Sequence, residues 1–122
     1  MEYPVIPEGL YYKSSPIHGI GVFTARKIQQ GECLGEFTGT VMSRQEFKKQ
    51  YGNDTRYCCV SPFGWHTVVV AKIQRNWITY MNETVNPNCK IQRRKCYAVK
   101  EIQPDTELLL YYGKFYPRDY KL

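Results

Sequence analysis

Short apolar and β-branched runs separated by glycine and proline are the dominant pattern along the chain. The runs are rich in Tyr, Val, Ile and Thr, which fit the pleated, half-buried surface of a sheet. Gly and Pro bound them at short intervals, as turn-forming residues do. The pattern predicts strands over residues 22–25, 33–39, 57–60, 67–71, 96–99 and 107–112. We therefore expect a mainly β fold with short helices (α+β), built from several small sheets packed together.

One helix is predicted after the strands over residues 22–25 and 33–39. Ser43 followed three positions later by Glu46 is a capping box, in which each side chain bonds the main-chain amide of the other. Phe47 and Tyr51 then share one face of the helix, and Gly52 is a typical stop. The spacing therefore predicts a helix that begins after Ser43 and ends at Gly52.

A second helical turn is predicted over residues 75–81. Trp77, Tyr80 and Met81 fall on one side of this turn and form a candidate buried face. The first dozen residues and the last few are expected to be less ordered than the rest.

Length and composition narrow the class of protein. The 122 residues fit one domain with a modest core. The longest apolar runs are far shorter than the ~18 residues of a membrane span, and the N-terminus lacks the pattern of a signal peptide. A hydrophobic content of 43% and an aromatic content of 15% argue against disorder. These features predict a soluble globular domain without a membrane partner.

The chain is basic, with 17 Lys and Arg against 11 Asp and Glu and a net charge of +6. Its tight basic clusters are Lys48-Lys49 and Arg93-Arg94-Lys95. They are either solvated faces or sites of attraction to nucleic acid or another polyanion, and charge alone does not choose between the two interpretations.

The cysteines predict a reducing, intracellular compartment. Their number is odd and no secretion signal precedes them, so free thiols are expected. Adjacent Cys58 and Cys59 would point to opposite faces of a strand, and only His18 and His66 could complete a zinc site. No metal site is therefore expected. Most of the five are predicted to be small buried apolar side chains: Cys33, Cys58, Cys59, Cys89 and Cys96.

Glycines and asparagines mark two candidate ligand-binding segments. Residues 18–23 hold a G-x-G pattern, which is either a tight turn into a strand or a main chain that approaches a ligand closely. A third glycine at the dinucleotide-binding spacing is missing. Residues 80–89 are either a polar solvent loop or a site in which the Asn82 amide, at the core boundary, reads the edge of a base such as adenine.

Tyrosines mark two further segments. Residues 107–113 predict a strand that ends in Tyr111 and Tyr112 before Gly113. It is either an ordinary core strand or one that places the Tyr112 hydroxyl in a narrow pocket. Residues 56–60 predict another strand and offer Tyr57.

Taken in order, these segments resemble the SET-domain protein lysine methyltransferases. Residues 18–23, 25–28 and 31–32 are similar to the opening G-x-G segment of that family. Residues 82–89 are similar to its asparagine–histidine–serine motif with the following Pro-Asn. Residues 97–113 resemble its closing segment, which ends in Tyr-Gly. The order and spacing hold from about Gly9 to Tyr116, which implies a single SET-like domain over 1–122 with a core of about 9–116.

The resemblance implies SET-domain β-sheets with a C-terminal pseudoknot, S-adenosylmethionine as methyl donor, and a role for each matching residue. Tyr112 and Tyr57 would be the catalytic residues, and Tyr57 would also line the lysine channel together with Leu110, Tyr111 and Tyr112. The donor would be held by the following residues: His18, Gly19, Ile20, Gly21, Tyr80, Asn82, Glu83, Tyr112, Phe115 and Tyr116.

The chain departs from the family pattern at several positions. Glu83 replaces the usual His, Thr84 the Ser, Thr79 an Arg and Tyr111 an acidic residue. No Cys-rich segment follows Gly113 to bind zinc and complete the channel. The chain resembles both the PR subgroup and the minimal SET proteins of large DNA viruses or bacteria.

The resemblance implies methyl transfer to the ε-amine of a protein lysine, with a histone tail as the leading substrate. Two alternatives stay open: a non-catalytic SET-like domain that binds a protein or chromatin partner, and a basic nucleic-acid-binding β-domain. Nucleosomal DNA is a candidate contact, and a homodimer could complete each channel. The location is expected to be intracellular, and nuclear if the protein is eukaryotic or acts on host chromatin.

Overall fold

The computed structural model describes residues 3–54, 58–60 and 67–111, with only the main chain of Cys59 and Val60. The strands are β1 (Leu10–Ser14), β2 (Ile20–Thr24), β3 (Cys33–Glu36), β4 (Thr40–Ser43), β5 (Cys58–Val60), β6 (Thr67–Val70), β7 (Asn82–Glu83), β8 (Cys89–Gln92), β9 (Lys95–Ala98) and β10 (Thr106–Leu110). The helices are α1 (Arg44–Tyr51) and a 3₁₀ helix (Trp77–Tyr80). The predicted mainly β fold with short helices is confirmed.

The strands form three small sheets. Their orders are β1-β2-β10-β7, β3-β9-β8 and β4-β6-β5. In the first sheet β10 lies between β2, to which it is antiparallel, and β7, to which it is parallel. β10 therefore brings segments that are distant in sequence into one sheet. The predicted C-terminal pseudoknot depends on residues 112–122, which lie outside the described residues.

The three sheets share one main core. Buried side chains from all of them meet there with the 3₁₀ helix, among them Val22, Leu108 and Trp77. β6 is buried on both faces: Val69 joins the main core, whereas Val68 and Val70 pack with Phe47 in a second cluster. Successive strand residues point to opposite faces, so this double burial explains the unbroken apolar run.

The helix α1 begins and ends where its sequence predicts. The Ser43 hydroxyl accepts a hydrogen bond from the Glu46 amide at 3.0 Å, and the Gly52 amide donates to the Lys48 carbonyl. The reciprocal half of the predicted capping box is wrong, because the Glu46 carboxylate accepts from Gln50 instead. Neither described helix is long and apolar enough to cross a membrane.

The opening residues are better packed than expected. β1 pairs with β2 over its whole length, and Leu10 belongs to the main core. The Tyr12 hydroxyl donates to the Pro4 carbonyl at 2.9 Å, and the rings of Tyr3 and Tyr12 lie 5.0 Å apart. From Tyr3 onward, the expectation of lower order is therefore wrong, because tyrosine rings hold this segment against the sheet.

Three of the four described cysteine side chains are buried, as predicted. These are Cys58, Cys89 and Cys96, whereas Cys33 is exposed. Burial raises the pKa of the Cys58 thiol to about 11, with Lys72 opposing and Asp54 reinforcing the shift. Since only the thiolate is nucleophilic, Cys58 is protected both by its position and by its protonation state.

We expect alkylation of the native protein at mildly alkaline pH to modify Cys33 rapidly and to spare Cys58. The reason is that Cys33 is exposed, whereas Cys58 keeps its proton until the pH approaches about 11. Peptide mass spectrometry over a time course measures both rates, and labelling in denaturant is the control. Equal rates for the two cysteines in the native protein would contradict the described burial.

Candidate functional site

The turn between β1 and β2 forms one side of the candidate site. The Ser15 amide donates to the Gly19 carbonyl at 2.7 Å, and the Ile17 amide donates to the Ser15 hydroxyl at 3.0 Å. Gly19 has a φ of +48°, and no atom lies within 4 Å of the position that a Cβ would take. Gly19 is therefore needed for its left-handed conformation rather than for close packing. The turn exposes His18 at its tip.

Gly21, the second glycine of the G-x-G pattern, has a different role. It is buried, and a Cβ at this position would overlap the Glu107 carboxylate and lie 3.2 Å from Asn82 Nδ2. Such distances are too short for packed atoms, so only glycine fits here without movement of its neighbours. At Gly21 the main chain is closely approached, but the approaching groups are the side chains of Glu107 and Asn82.

Asn82 is held in one orientation by this turn and by β10. Its side-chain Nδ2 donates to the His18 carbonyl and to Glu107 Oε2, both at 2.9 Å. The two hydrogens of the amide nitrogen are thereby used, and Oδ1 stays available as an acceptor. None of the described residues donates a hydrogen bond to Oδ1.

Glu107 connects the two sides of the site through its carboxylate. The side chain is only 9% exposed, and its Oε1 accepts from the Ser15 hydroxyl at 2.8 Å while Oε2 accepts from Asn82. These bonds compensate the burial of the charge. Within the described part of the chain no Lys or Arg pairs with Glu107, and no group of three His, Cys, Asp or Glu could hold a metal ion. The site is therefore rich in acceptors and suits a cationic group.

Asn88 fixes the main chain beside this carboxylate. It is buried, its Nδ2 donates to the Glu107 carbonyl, and its Oδ1 accepts from the Leu109 amide, both at 2.8 Å. Its own amide donates to the Leu109 carbonyl. Asn88 thus supplies β10 with the hydrogen bonds that a neighbouring strand would make.

Glu83 and Thr84 join β10 through their main chains. β7 places Glu83 opposite Leu110, and the Thr84 amide donates to the Leu110 carbonyl at 2.8 Å. The Glu83 side chain is exposed. The structure therefore uses position 83 for its backbone.

Tyr80 lies in an aromatic cluster with the opening residues. Its ring centroid is 5.5 Å from that of Tyr3 and 5.6 Å from that of Tyr12. The Arg75 guanidinium lies 3.9 Å from the ring and donates to the Thr79 hydroxyl. An arginine head group thus reaches position 79, where the family pattern expects an arginine side chain. A contact of Tyr80 with the donor stays a prediction.

The structure brings together four of the predicted donor-site residues: His18, Gly19, Gly21 and Asn82. Ile20 lies half-buried between the two glycines. Of the predicted channel residues, Leu110 is buried and Tyr111 is 47% exposed. The remaining predicted residues lie outside the described residues: Tyr57, Tyr112, Phe115 and Tyr116.

Sequence reasoning missed the roles of Ser15, Asn88 and Glu107. One pattern pointed to Glu107: a carboxylate inside the apolar strand β10 must find donors if that strand is buried. Ser15 carried no comparable pattern, because serine is common in turns, and Asn88 was noted only as the asparagine of the Pro-Asn in the family resemblance.

Comparison with protein families and known sequences relates this chain to a family model and to several proteins. A family model described as SET domain matches residues 19–113, which include the G-x-G turn, Asn82 and Glu107. The histone-lysine N-methyltransferase trr of Drosophila melanogaster is 26% identical over 121 residues, which are 92% of this chain and 5% of that protein. The chain thus spans a small part of this relative.

Solved structures show the same fold. A humanized mutant of the Chaetomium thermophilum Polycomb Repressive Complex 2, bound to an inhibitor, superposes with a TM-score of 0.72 at 24% identity over 88% of this chain and 15% of that chain. The structure of ctPRC2 in an autoinhibited conformation bound to S-adenosylmethionine gives the same values. These matches confirm the predicted SET-domain arrangement of sheets.

Proposed function

Because this chain belongs to the SET domain family, we propose that it transfers a methyl group from S-adenosylmethionine to the ε-amine of a protein lysine. The proposed substrate is a histone tail, since the relative trr is named a histone-lysine N-methyltransferase. We further propose that one SET domain spans 1–122, with a core of about 9–116. The observation that carries the proposal is the network of Gly21, Asn82 and Glu107 inside the matched range.

The network supports binding of a cationic donor. S-adenosylmethionine carries a sulfonium and an ammonium group, and when bound it supplies an electrophilic methyl group. The Asn82 Oδ1 acceptor and the negative charge of Glu107 suit such cations. We propose that the main chain of residues 18–21 faces the methionine part. The proposal assigns the rest of the donor to these residues: Tyr80, Glu83, Tyr112, Phe115 and Tyr116.

The lysine must lose its proton before it attacks. With a reference pKa of ~10.4, neutralising the amine at pH 7 costs about 4.6 kcal/mol. We propose that an apolar channel of Tyr57, Leu110 and Tyr112 lowers this pKa by desolvation, helped by the like charge of the sulfonium. The burial of Leu110 supports this environment. Tyr112 would orient the amine, and in-line positioning contributes up to about 7–11 kcal/mol.

The replacement of the family histidine by Glu83 favours a second candidate, a SET-like domain that binds a partner without catalysis. The exposed Glu83 side chain and the main-chain pairing of β7 argue for activity instead, because a position used through its backbone tolerates glutamate. Donor binding separates the two candidates if the non-catalytic domain has also lost the donor pocket.

The test is methyl transfer from labelled S-adenosylmethionine to core histones, nucleosomes and a crude lysate, with Tyr112→Phe as control. Label on a discrete protein band, lost with Tyr112→Phe, is the expected result. Donor binding is measured in parallel by calorimetry. Absence of both label and donor binding would overturn the proposal and favour the binding domain.

We expect the product to carry more than one methyl group. In the family, the position two before the closing tyrosine influences methylation number, and Leu110 has no hydroxyl to hold a water there. Leu110 is buried, so its side chain is available to shape the channel. Mass spectrometry of a methylated peptide at long reaction times measures the outcome. Monomethylation alone would contradict the expectation.

A further inference from the structure

The hairpin of β8 and β9 has an unusual tip. Gln92 pairs with Lys95, so the connection consists of two residues, Arg93 and Arg94. Both have positive φ values, 50° and 59°. A two-residue turn with this conformation is of type I′, which asparagine followed by glycine favours strongly. Two arginines occupy it here.

The charges of this hairpin point away from the core. Cys89 and Cys96 are buried on one face, so the alternation along each strand places Lys90, Gln92 and Lys95 on the other. Lys90, Arg93 and Lys95 are exposed and form no ion pair with any residue that the structure describes. Glu36 lies opposite Lys95 on β3 and pairs with Arg94 at 3.4 Å.

Folding of the hairpin does not account for the arginine at position 93, because Arg94 pairs with Glu36 whereas Arg93 is exposed and has no described ion pair. The left-handed conformation is unfavourable for most residues with a Cβ, but glycine and asparagine tolerate it, so these two would form the same turn with less strain. A main-chain bond also holds the turn, from the Phe37 amide to the Arg94 carbonyl at 2.6 Å, and it needs no arginine side chain. A strained position that packing does not explain indicates a function for the side chains.

We propose that this basic tip, defined as Lys90, Arg93, Arg94 and Lys95, contacts the phosphate backbone of duplex nucleic acid. Arg and Lys make the backbone contacts that position proteins on a duplex, and the net charge of +6 attracts a polyanion over distance.

A duplex fits the tip better than an acidic protein does. Protein interfaces depend on buried aromatic or apolar anchors. Among the described residues, the large exposed apolar side chains all lie outside this hairpin: Tyr3, Val5, Ile17, Val41, Ile73, Val85 and Tyr111. A contact made of charges alone is typical of phosphate binding.

The test combines two substitutions, Arg93→Asn and Arg94→Gly, which give the turn its preferred residues and remove two charges. The midpoint of thermal unfolding should rise by about 4 °C. Binding to a fluorescent mixed-sequence DNA duplex, measured by anisotropy at about 50 to 200 mM salt, should weaken at least about tenfold. The slope of log K against log salt should fall by roughly 0.9 for each phosphate contact removed. A more stable protein that binds less well excludes misfolding as the cause.

The matched control removes two charges elsewhere, by Lys48→Gln and Lys49→Gln. Both lysines are exposed on α1 and carry no described ion pair. The DNA affinity of this control variant should fall by no more than about threefold, which is the size of a general field effect from two lost charges.

Equal loss of DNA affinity in both double variants would overturn the proposal, as would parental binding in the turn variant. Binding of polyglutamate but not of the duplex would assign the tip to an acidic protein instead. None of these measurements needs the methyl donor, so the result is independent of the proposed activity.

Discussion

The Gly21→Ala variant is expected to lose binding of S-adenosylmethionine and to unfold more readily than the parent protein. The new Cβ would overlap the Glu107 carboxylate and crowd Asn82 Nδ2. Overpacking at a buried site typically destabilises by about 1–3 kcal/mol. Relief of the overlap requires Glu107 to move, and that movement breaks its bonds to Ser15 and Asn82. The proposed donor site would therefore be distorted even in molecules that stay folded.

Two other glycines provide the controls for this prediction. In Gly39→Ala the Cβ would overlap the Val70 carbonyl, away from the site, so stability should fall while folded molecules still bind donor. Gly31 has a φ of +86° and open space around it. Gly31→Ala should therefore introduce only backbone strain of roughly 1–2 kcal/mol. Calorimetry of donor binding and urea denaturation measure all three variants. If Gly21→Ala bound the donor as tightly as the parent protein, the proposed assignment of the Gly21, Asn82 and Glu107 network to the donor site would be refuted.

The Asn88→Leu variant is expected to be less stable than any of these three glycine variants. Leucine has the same branching at Cγ but leaves the Glu107 carbonyl and the Leu109 amide without their partners. Each buried group left unpaired costs about 1–3 kcal/mol, so the loss should reach about 2–6 kcal/mol. Denaturation in urea, monitored by circular dichroism, measures this change in the free energy of unfolding.

Neighbouring residues distinguish this effect from a general intolerance of the loop. Asn86 is exposed, so Asn86→Leu should change stability by less than about 0.5 kcal/mol. Asn88→Asp keeps the acceptor for the Leu109 amide but turns an oxygen toward the Glu107 carbonyl. It should therefore lie clearly below the parent. An Asn88→Leu protein as stable as Asn86→Leu would show that these bonds contribute nothing net.

The elements that were predicted well are those whose own residues determine them. The apolar run of β6 and the Ser43 and Gly52 boundaries of α1 carry their information locally. β4 and β8 were missed because they mix exposed polar and apolar residues. Strands of this kind form because a neighbouring strand pairs with them, and a propensity does not contain that information.

The candidate site shows the same division. Asn82 and the G-x-G pattern are visible in the sequence, and the structure places them together. Ser15 and Glu107 are 92 positions apart, so their contact depends on how β10 is inserted beside β2. Physical reasoning from residue types explains why Glu107 needs donors, but only the order of strands in the sheet shows which side chains supply them.

The central position of β10 also has a consequence for biosynthesis. When β1, β2 and β7 have emerged from the ribosome, Glu107 has not, so the network of Ser15, Asn82 and Glu107 cannot assemble before β10 emerges. Contacts of such long sequence separation form slowly. A ligand that binds only the folded chain stabilises it by about 2.7 kcal/mol at a hundredfold excess over its Kd. Under the proposed function, the cellular pool of S-adenosylmethionine would therefore help to set how long each newly made molecule survives proteolysis.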